Sequence, residues 1–119
     1  MSYEIVDTSG GTVTVRISGK LSYDEYVEGQ MKATEIMKQQ GKMRALVLLE
    51  NFLGTEKDGK WGDIAPTVEF DKYLQKLAFV GTKELEPHVF LFSGKGIRRV
   101  PIEFFEPADL AKAKAWLAA

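Results

Sequence analysis

Ala45-Leu46-Val47-Leu48-Leu49 is apolar at every position, and Leu77-Ala78-Phe79-Val80, closed by Gly81, repeats the pattern. A strand with one face in water alternates apolar and polar residues, whereas a strand covered on both faces does not. Both stretches therefore read as inner strands of a sheet. Thr12 to Ser18 behaves differently: Val13, Val15 and Ile17 alternate with Thr12, Thr14, Arg16 and Ser18. Val100 to Phe105 likewise puts Val100, Ile102 and Phe104 on one side. These two are outer strands. Ahead of Thr12, Tyr3 to Asp7 is a short strand, joined to it through the dense turn Asp7-Thr8-Ser9-Gly10-Gly11 as an antiparallel hairpin.

Helical patterns fill the intervals. Ser22-Tyr23-Asp24-Glu25 is a capping box, in which the Ser22 hydroxyl accepts from the Glu25 amide and Glu25 reaches back to the Ser22 amide. The helix it opens runs to about Gln40, with Tyr23, Tyr26, Val27, Met31, Thr34 and Met37 as its apolar stripe and Gly41 as its left-handed stop. Asn51 to Lys60 reads as a loop. A second helix starts at Asp63, its N-cap, with Pro66 in the tolerated first turn and Phe70, Tyr73, Leu74 and Leu77 as stripe and exit. Beyond Thr82 the pattern fits a short helix with Pro87 in its first turn, ending before Gly94. Pro107 and Asp109 open a last helix that buries Leu110, Ala113, Trp116 and Leu117.

Strands alternating with helices imply an α/β fold: a mostly parallel five-strand sheet with right-handed crossovers and an N-terminal antiparallel hairpin strand. The inner-outer patterning selects sequential strand order. Crossovers that all step the same way put the helices on one face, which leaves apolar side chains bare at the centre of the other. That helix-free face predicts a homodimer or another covering partner.

Composition narrows the function. The 119 residues form a single domain, 1–119, and are 45% apolar, enough for a core. The 16 basic and 17 acidic side chains nearly cancel, which argues against a nucleic-acid binder. There is no cysteine, so disulfides, thiolate metal sites and thiol catalysis are excluded. No apolar run approaches the roughly 20 residues of a membrane span, so no integral membrane association is expected. Met1-Ser2-Tyr3-Glu4 has neither the basic start nor the apolar stretch of a signal peptide, and a cytoplasmic domain is expected.

Several short motifs in order resemble one family of small bacterial proteins. Gly19-Lys20-Leu21-Ser22 with Glu25-Tyr26 resembles its G-K-L-T-x-x-D-Y lead into the first helix. Trp61-x-Asp63 resembles its W-x-D, and Ala78-Phe79-Val80-Gly81 its A-V-V-G. Phe104-Phe105, Ala113 and Trp116-Leu117 resemble its Y-F and A-x-A-W-L ending. The family is the SpoIIAA-like group of the STAS superfamily, related in fold to the CRAL-TRIO lipid-binding domains. The resemblance implies a βα superhelix and a non-catalytic binding or regulatory domain with no cofactor; no activity is established for the family. A carrier or sensor of a small apolar or amphipathic ligand is the alternative, and an enzyme of unknown type the third. Leu85 stands where the family has an aromatic, and Pro87 interrupts its continuous helix.

The candidate sites follow from particular residues. Phe52, Leu53, Trp61, Ile64 and Phe70 cluster around the loop and second helix, either as core or as the wall of an apolar-ligand pocket. Lys95, Arg98 and Arg99 form a basic link, either solvated surface or a contact for an anion or lipid headgroup. It is not a phosphate-binding loop, since no Ser or Thr follows Lys95. Asp7-Thr8-Ser9-Gly10 imitates the D-S-S-G string that carries the phosphorylated serine of STAS anti-sigma antagonists, but it lies in the hairpin turn. The corresponding place holds Glu50-Asn51-Phe52-Leu53-Gly54, with Thr55 the nearest hydroxyl, so no phosphoswitch is expected. His88 is the single histidine and reads as structural. Asp24-Glu25 and Asp71-Lys72 read as ordinary helix surface. No catalytic residue and no metal ligand is assigned.

Overall fold

Gly10 and Gly11 both take left-handed backbone angles, with φ of 66° and 75°, and fold Tyr3–Asp7 (β1) back along Thr12–Leu21 (β2) as an antiparallel pair. Asp7 completes the turn: its Oδ2 accepts from the Ser9 hydroxyl at 2.8 Å. The computed structural model describes residues 2–94 and 98–119. The chain then alternates Tyr23–Gln40 (α1), Met43–Thr55 (β3), Ala65–Asp71 (α2), Leu74–Val80 (β4), Glu86–Ser93 (α3), Ile102–Phe105 (β5) and Leu110–Ala118 (α4). The five strands lie in chain order, with β2 to β5 parallel. Sequential order and the hairpin agree with the sequence pattern.

Alternation along β3 and β4 divides two cores. Ala45, Val47, Leu49, Leu77 and Phe79 face the main core with Val13, Val15, Ile17, Ala33, Met37 and Val89. Leu46, Ala78 and Val80 face the other way, where Ala113 and Leu117 of α4 close over them. This corrects the helix-free face: α4 covers its centre. The right-handed crossover rule binds only a helix lying between two parallel strands. α4 follows the last strand, so it is free to lie on the opposite face, and burying the apolar centre there selects that side. Lys76 fixes its end, with Nζ donating to the carbonyls of Trp116 and Ala119 at 2.8 and 3.0 Å and lying 4.9 Å from the Trp116 ring centroid. Beside α4 that face carries charge: Arg16 of β2 bridges Glu4 of β1 at 2.9 Å and Glu50 of β3 at 2.7 Å. The apolar ground for a homodimer through this face is therefore removed.

Three further departures have local causes. β3 continues to Thr55, through what reads as loop, staying paired with β2 across register shifts on both sides of Gly19. Ile17 pairs with Leu49 but Gly19 with Phe52, and Asn51 takes a φ of 52°. The extra residue shifts the alternation by one, so Phe52 rather than Asn51 turns into the core. The stripe of α1 is rotated from the one expected: Tyr23, Gln30, Ala33, Thr34 and Met37 are buried and Met31 is exposed. The buried Gln30 is tolerated because its amide donates to the Tyr26 hydroxyl at 3.0 Å and accepts from the Thr67 hydroxyl at 3.3 Å. Finally, the capping box is half made. The Glu25 amide donates to Ser22 Oγ at 3.1 Å, but the Glu25 carboxylate holds the N-terminal segment instead, accepting from the Ser2 amide and hydroxyl at 3.0 and 2.9 Å.

Candidate functional site

On the main-core side, α1, α2 and α3 do not meet completely. Between them lies a cleft of about 810 Å³, extended by a short 3-10 turn (Gly59–Gly62) and by residues 98–100. Its inner surface is built from the first turns of α1. Tyr23 stands edge-on to Trp61, with ring centroids 5.2 Å apart, and Tyr26 lies 5.4 Å from the same ring. Two of the three rings are tied to backbone carbonyls: the Tyr23 hydroxyl donates to the Asp63 carbonyl at 3.1 Å, and Trp61 Nε1 donates to the Glu56 carbonyl at 2.8 Å. Asp63 itself accepts from the Ala65 amide at 3.1 Å, so it turns the chain into α2 one residue ahead of Ile64, the helix cap. Burial pushes the phenol of Tyr26 above its ordinary range, against the pull of the Arg98 charge and a hydrogen bond from Thr67; burial also raises Tyr23. Both rings are neutral at neutral pH.

The mouth has a different chemistry. Ile64 is 57% exposed, Val68 51% and Leu91 81%, three large apolar side chains around one opening. Grouped exposure of this kind marks a binding surface more often than isolated apolar residues do. Asp71 and Arg98 also line the cleft. Arg98 Nε donates to Asp71 Oδ2 at 2.9 Å, its Nη2 pairs with Asp71 Oδ1, and its Nη1 donates to the Ser93 carbonyl at 3.1 Å. The side chains of Arg98 and Asp71 are 7% and 18% exposed, so this two-pronged pair is an internal tie between α2 and the link after α3. Asp71 is thus no ordinary surface charge.

The cleft brings together Trp61, Ile64, Arg98 and Arg99 of the residues singled out by sequence. Arg99 is exposed at the mouth, and Lys95 lies outside the described residues. Phe52 and Phe70 are buried in the main core, Phe52 because of the irregularity in β3 and Phe70 because it faces inward from α2. Leu53 is exposed and does not line the cleft. Tyr23, Tyr26, Thr67, Val68, Leu91 and Ser93 line it without having been picked out as a site. The two tyrosines carry the α1 stripe and so look like core, and Leu91 belongs to an apolar run with no mark of exposure. His88 is exposed on α3, its Nε2 3.4 Å from the Thr55 hydroxyl. Among the described residues, no group of three or more histidine and carboxylate side chains gathers as a metal site, and no helix is long and apolar enough to cross a membrane.

Solved structures share this architecture. The anti-sigma factor antagonist SpoIIAA in its unphosphorylated form superposes with a TM-score of 0.62 at 13% identity, covering 96% of this chain and 97% of that one. A protein of the DUF3478 family with a SpoIIAA-like fold from Shewanella loihica PV-4 gives 0.65 at 18% identity, over 97% and 91% of the two chains. The Bacillus cell fate determinant SpoIIAA in its phosphorylated form gives 0.60 at 16% identity, over 95% and 98%. Identities this low establish a shared fold. No curated protein matches the chain. The SpoIIAA-like family model matches residues 12–118, nearly the whole sheet and all four helices, and the chain belongs to that family.

Proposed function

We propose that this protein is a non-catalytic binding domain whose working surface is the cleft between α1, α2 and α3, and that the cleft takes a small amphipathic molecule. The observation that carries this reading is the combination of an opening of about 810 Å³ with three exposed apolar side chains at its mouth, Ile64, Val68 and Leu91. The volume lies within the range of small-molecule sites, which are mostly apolar with a few placed polar groups. Trp61, beside the opening and packed against two tyrosines, supplies a wall. Arg99 at the mouth supplies the one basic contact of the 98–99 pair still exposed to an anion. The SpoIIAA-like fold supports a regulatory or binding role, since one structural neighbour is an anti-sigma factor antagonist.

Native mass spectrometry of the protein purified from its own cells tests this directly. A retained molecule of a few hundred daltons, displaced by an environment-sensitive apolar dye, is the expected result. Absence of any retained molecule, together with no saturable change in Trp fluorescence across a panel of alcohols, amides and fatty acids, refutes it.

A further inference from the structure

The inner end of the cleft holds one unfinished hydrogen bond. Ser93, the last residue of α3, is 3% exposed and lines the cleft, and its Oγ has no hydrogen-bond partner. Among the described residues it is the buried side-chain polar atom left in that state. Its polar neighbours are engaged. The Tyr26 hydroxyl accepts from Gln30, the Thr67 hydroxyl donates to Gln30, and the Ser93 carbonyl accepts from Arg98. A buried hydroxyl without a partner is unfavourable, and gaining a hydrogen bond there is a net gain for whatever molecule supplies it.

The charge at that end is closed off. Arg98 is the buried cation of the cleft, and both prongs of its guanidinium are committed to Asp71, with the remaining nitrogen on Ser93. A carboxylate head brought to Ser93 would meet the Asp71 charge and the carbonyl end of α3, while the Arg98 charge is already balanced by Asp71. An uncharged head meets neither obstacle. We propose that Ser93 Oγ anchors the uncharged polar head, a hydroxyl or carboxamide, of an amphipathic ligand whose apolar part leaves past Ile64, Val68 and Leu91, and that the Asp71–Arg98 pair turns carboxylate heads away. This rests on the cleft being a ligand site, as proposed above, and adds the orientation and chemical class of what it takes.

The test uses 1-dodecanol, dodecanamide and dodecanoate as probes, read by fluorescence of Trp61 in the full chain carrying Trp116→Phe. The expected result is that the alcohol and the amide bind at least ~10-fold more tightly than the carboxylate, with Ser93→Ala erasing about that factor for the neutral probes. Asp71→Asn leaves Arg98 without its counter-charge and shifts the preference toward dodecanoate. Asp71→Asn/Arg98→Gln, which removes both charges, restores the preference for the alcohol and covers the case in which the single variant is too unstable to measure. Equal binding of all three probes, or neutral probes indifferent to Ser93→Ala, overturns the head-inward assignment while leaving the cleft a ligand site. Tighter binding of dodecanoate, lost in Arg99→Ser, overturns it in favour of a head at the mouth. Binding of no probe at all removes the ligand site and this inference with it.

Discussion

Gly29 lies directly beneath the ring of Tyr3: a Cβ built on the glycine would stand 2.0 Å from Tyr3 Cδ1. The contact joins the middle of α1 to the edge strand β1, and it is how a two-stranded hairpin edge is locked onto the helical layer. Gly29→Ala is expected to destabilise the fold by about 1–3 kcal/mol, since the Tyr3 ring must leave its place. Urea denaturation measures this. Tyr3→Leu in the same chain should return part of the loss, and a single variant as stable as the parent would mean that the hairpin edge is loosely held.

Leu117 is the larger of the two buried side chains that α4 places against Ala78 and Val80. Leu117→Ala is expected to cost about 2–4 kcal/mol, the sum of lost burial and the cavity left behind. Because α4 covers the apolar centre of its face, loosening it should also make the elution volume depend on concentration. Loss of stability without self-association would show that the polar bridge of Arg16 suffices to keep copies apart.

Glu25 gives a pH dependence whose sign is fixed by its surroundings. The Ser2 amide and hydroxyl, with a smaller contribution from Ser22, hold the carboxyl below its ordinary value of 4.5. A carboxyl depressed on folding stabilises the native state above its unfolded pKa, and that contribution disappears as pH falls through the folded value. Stability should therefore decline below about pH 4.5, with the decline shallower in Glu25→Gln. Chemical denaturation at a series of pH values, comparing the two chains, checks this; identical profiles would remove Glu25 from the account.

Leu91 is 81% exposed at the mouth of the cleft, so Leu91→Asp should change stability by no more than about 0.5 kcal/mol. The same change sets a charge where an apolar ligand must pass and should weaken binding of an apolar dye about tenfold or more. A variant that binds dye as the parent does would place the apolar opening elsewhere.

Burial on both sides leaves a mark that needs no coordinates. The unbroken apolar runs at 45–49 and 77–80 marked the inner strands of the parallel part, and the alternation at 12–18 marked the strand that ends that part, against β1. Helix starts were legible where the chemistry is local, as at Ser22, Pro87 and Pro107. The side of the sheet taken by α4 was not, because Leu110, Ala113, Trp116 and Leu117 make an apolar stripe that fits either face. Whether Phe52 belonged to the core or to a pocket wall was open for a similar reason: register shifts on both sides of Gly19 decide which side chains point inward, and nothing local announces them.

The candidate site divides the same way. Trp61, Ile64, Arg98 and Arg99 could be picked out by type, but their meeting in one cleft depends on how α2 and the link after α3 approach each other. Periodicity and capping are properties of neighbours along the chain, so the sequence alone determined the elements, their order and the parallel sheet. The pairing of Asp71 with Arg98, the unfinished hydrogen bond of Ser93 and the cover supplied by α4 join residues distant in sequence. Those were decided by tertiary packing, because burial and charge pairing depend on which distant surfaces meet and at what angle.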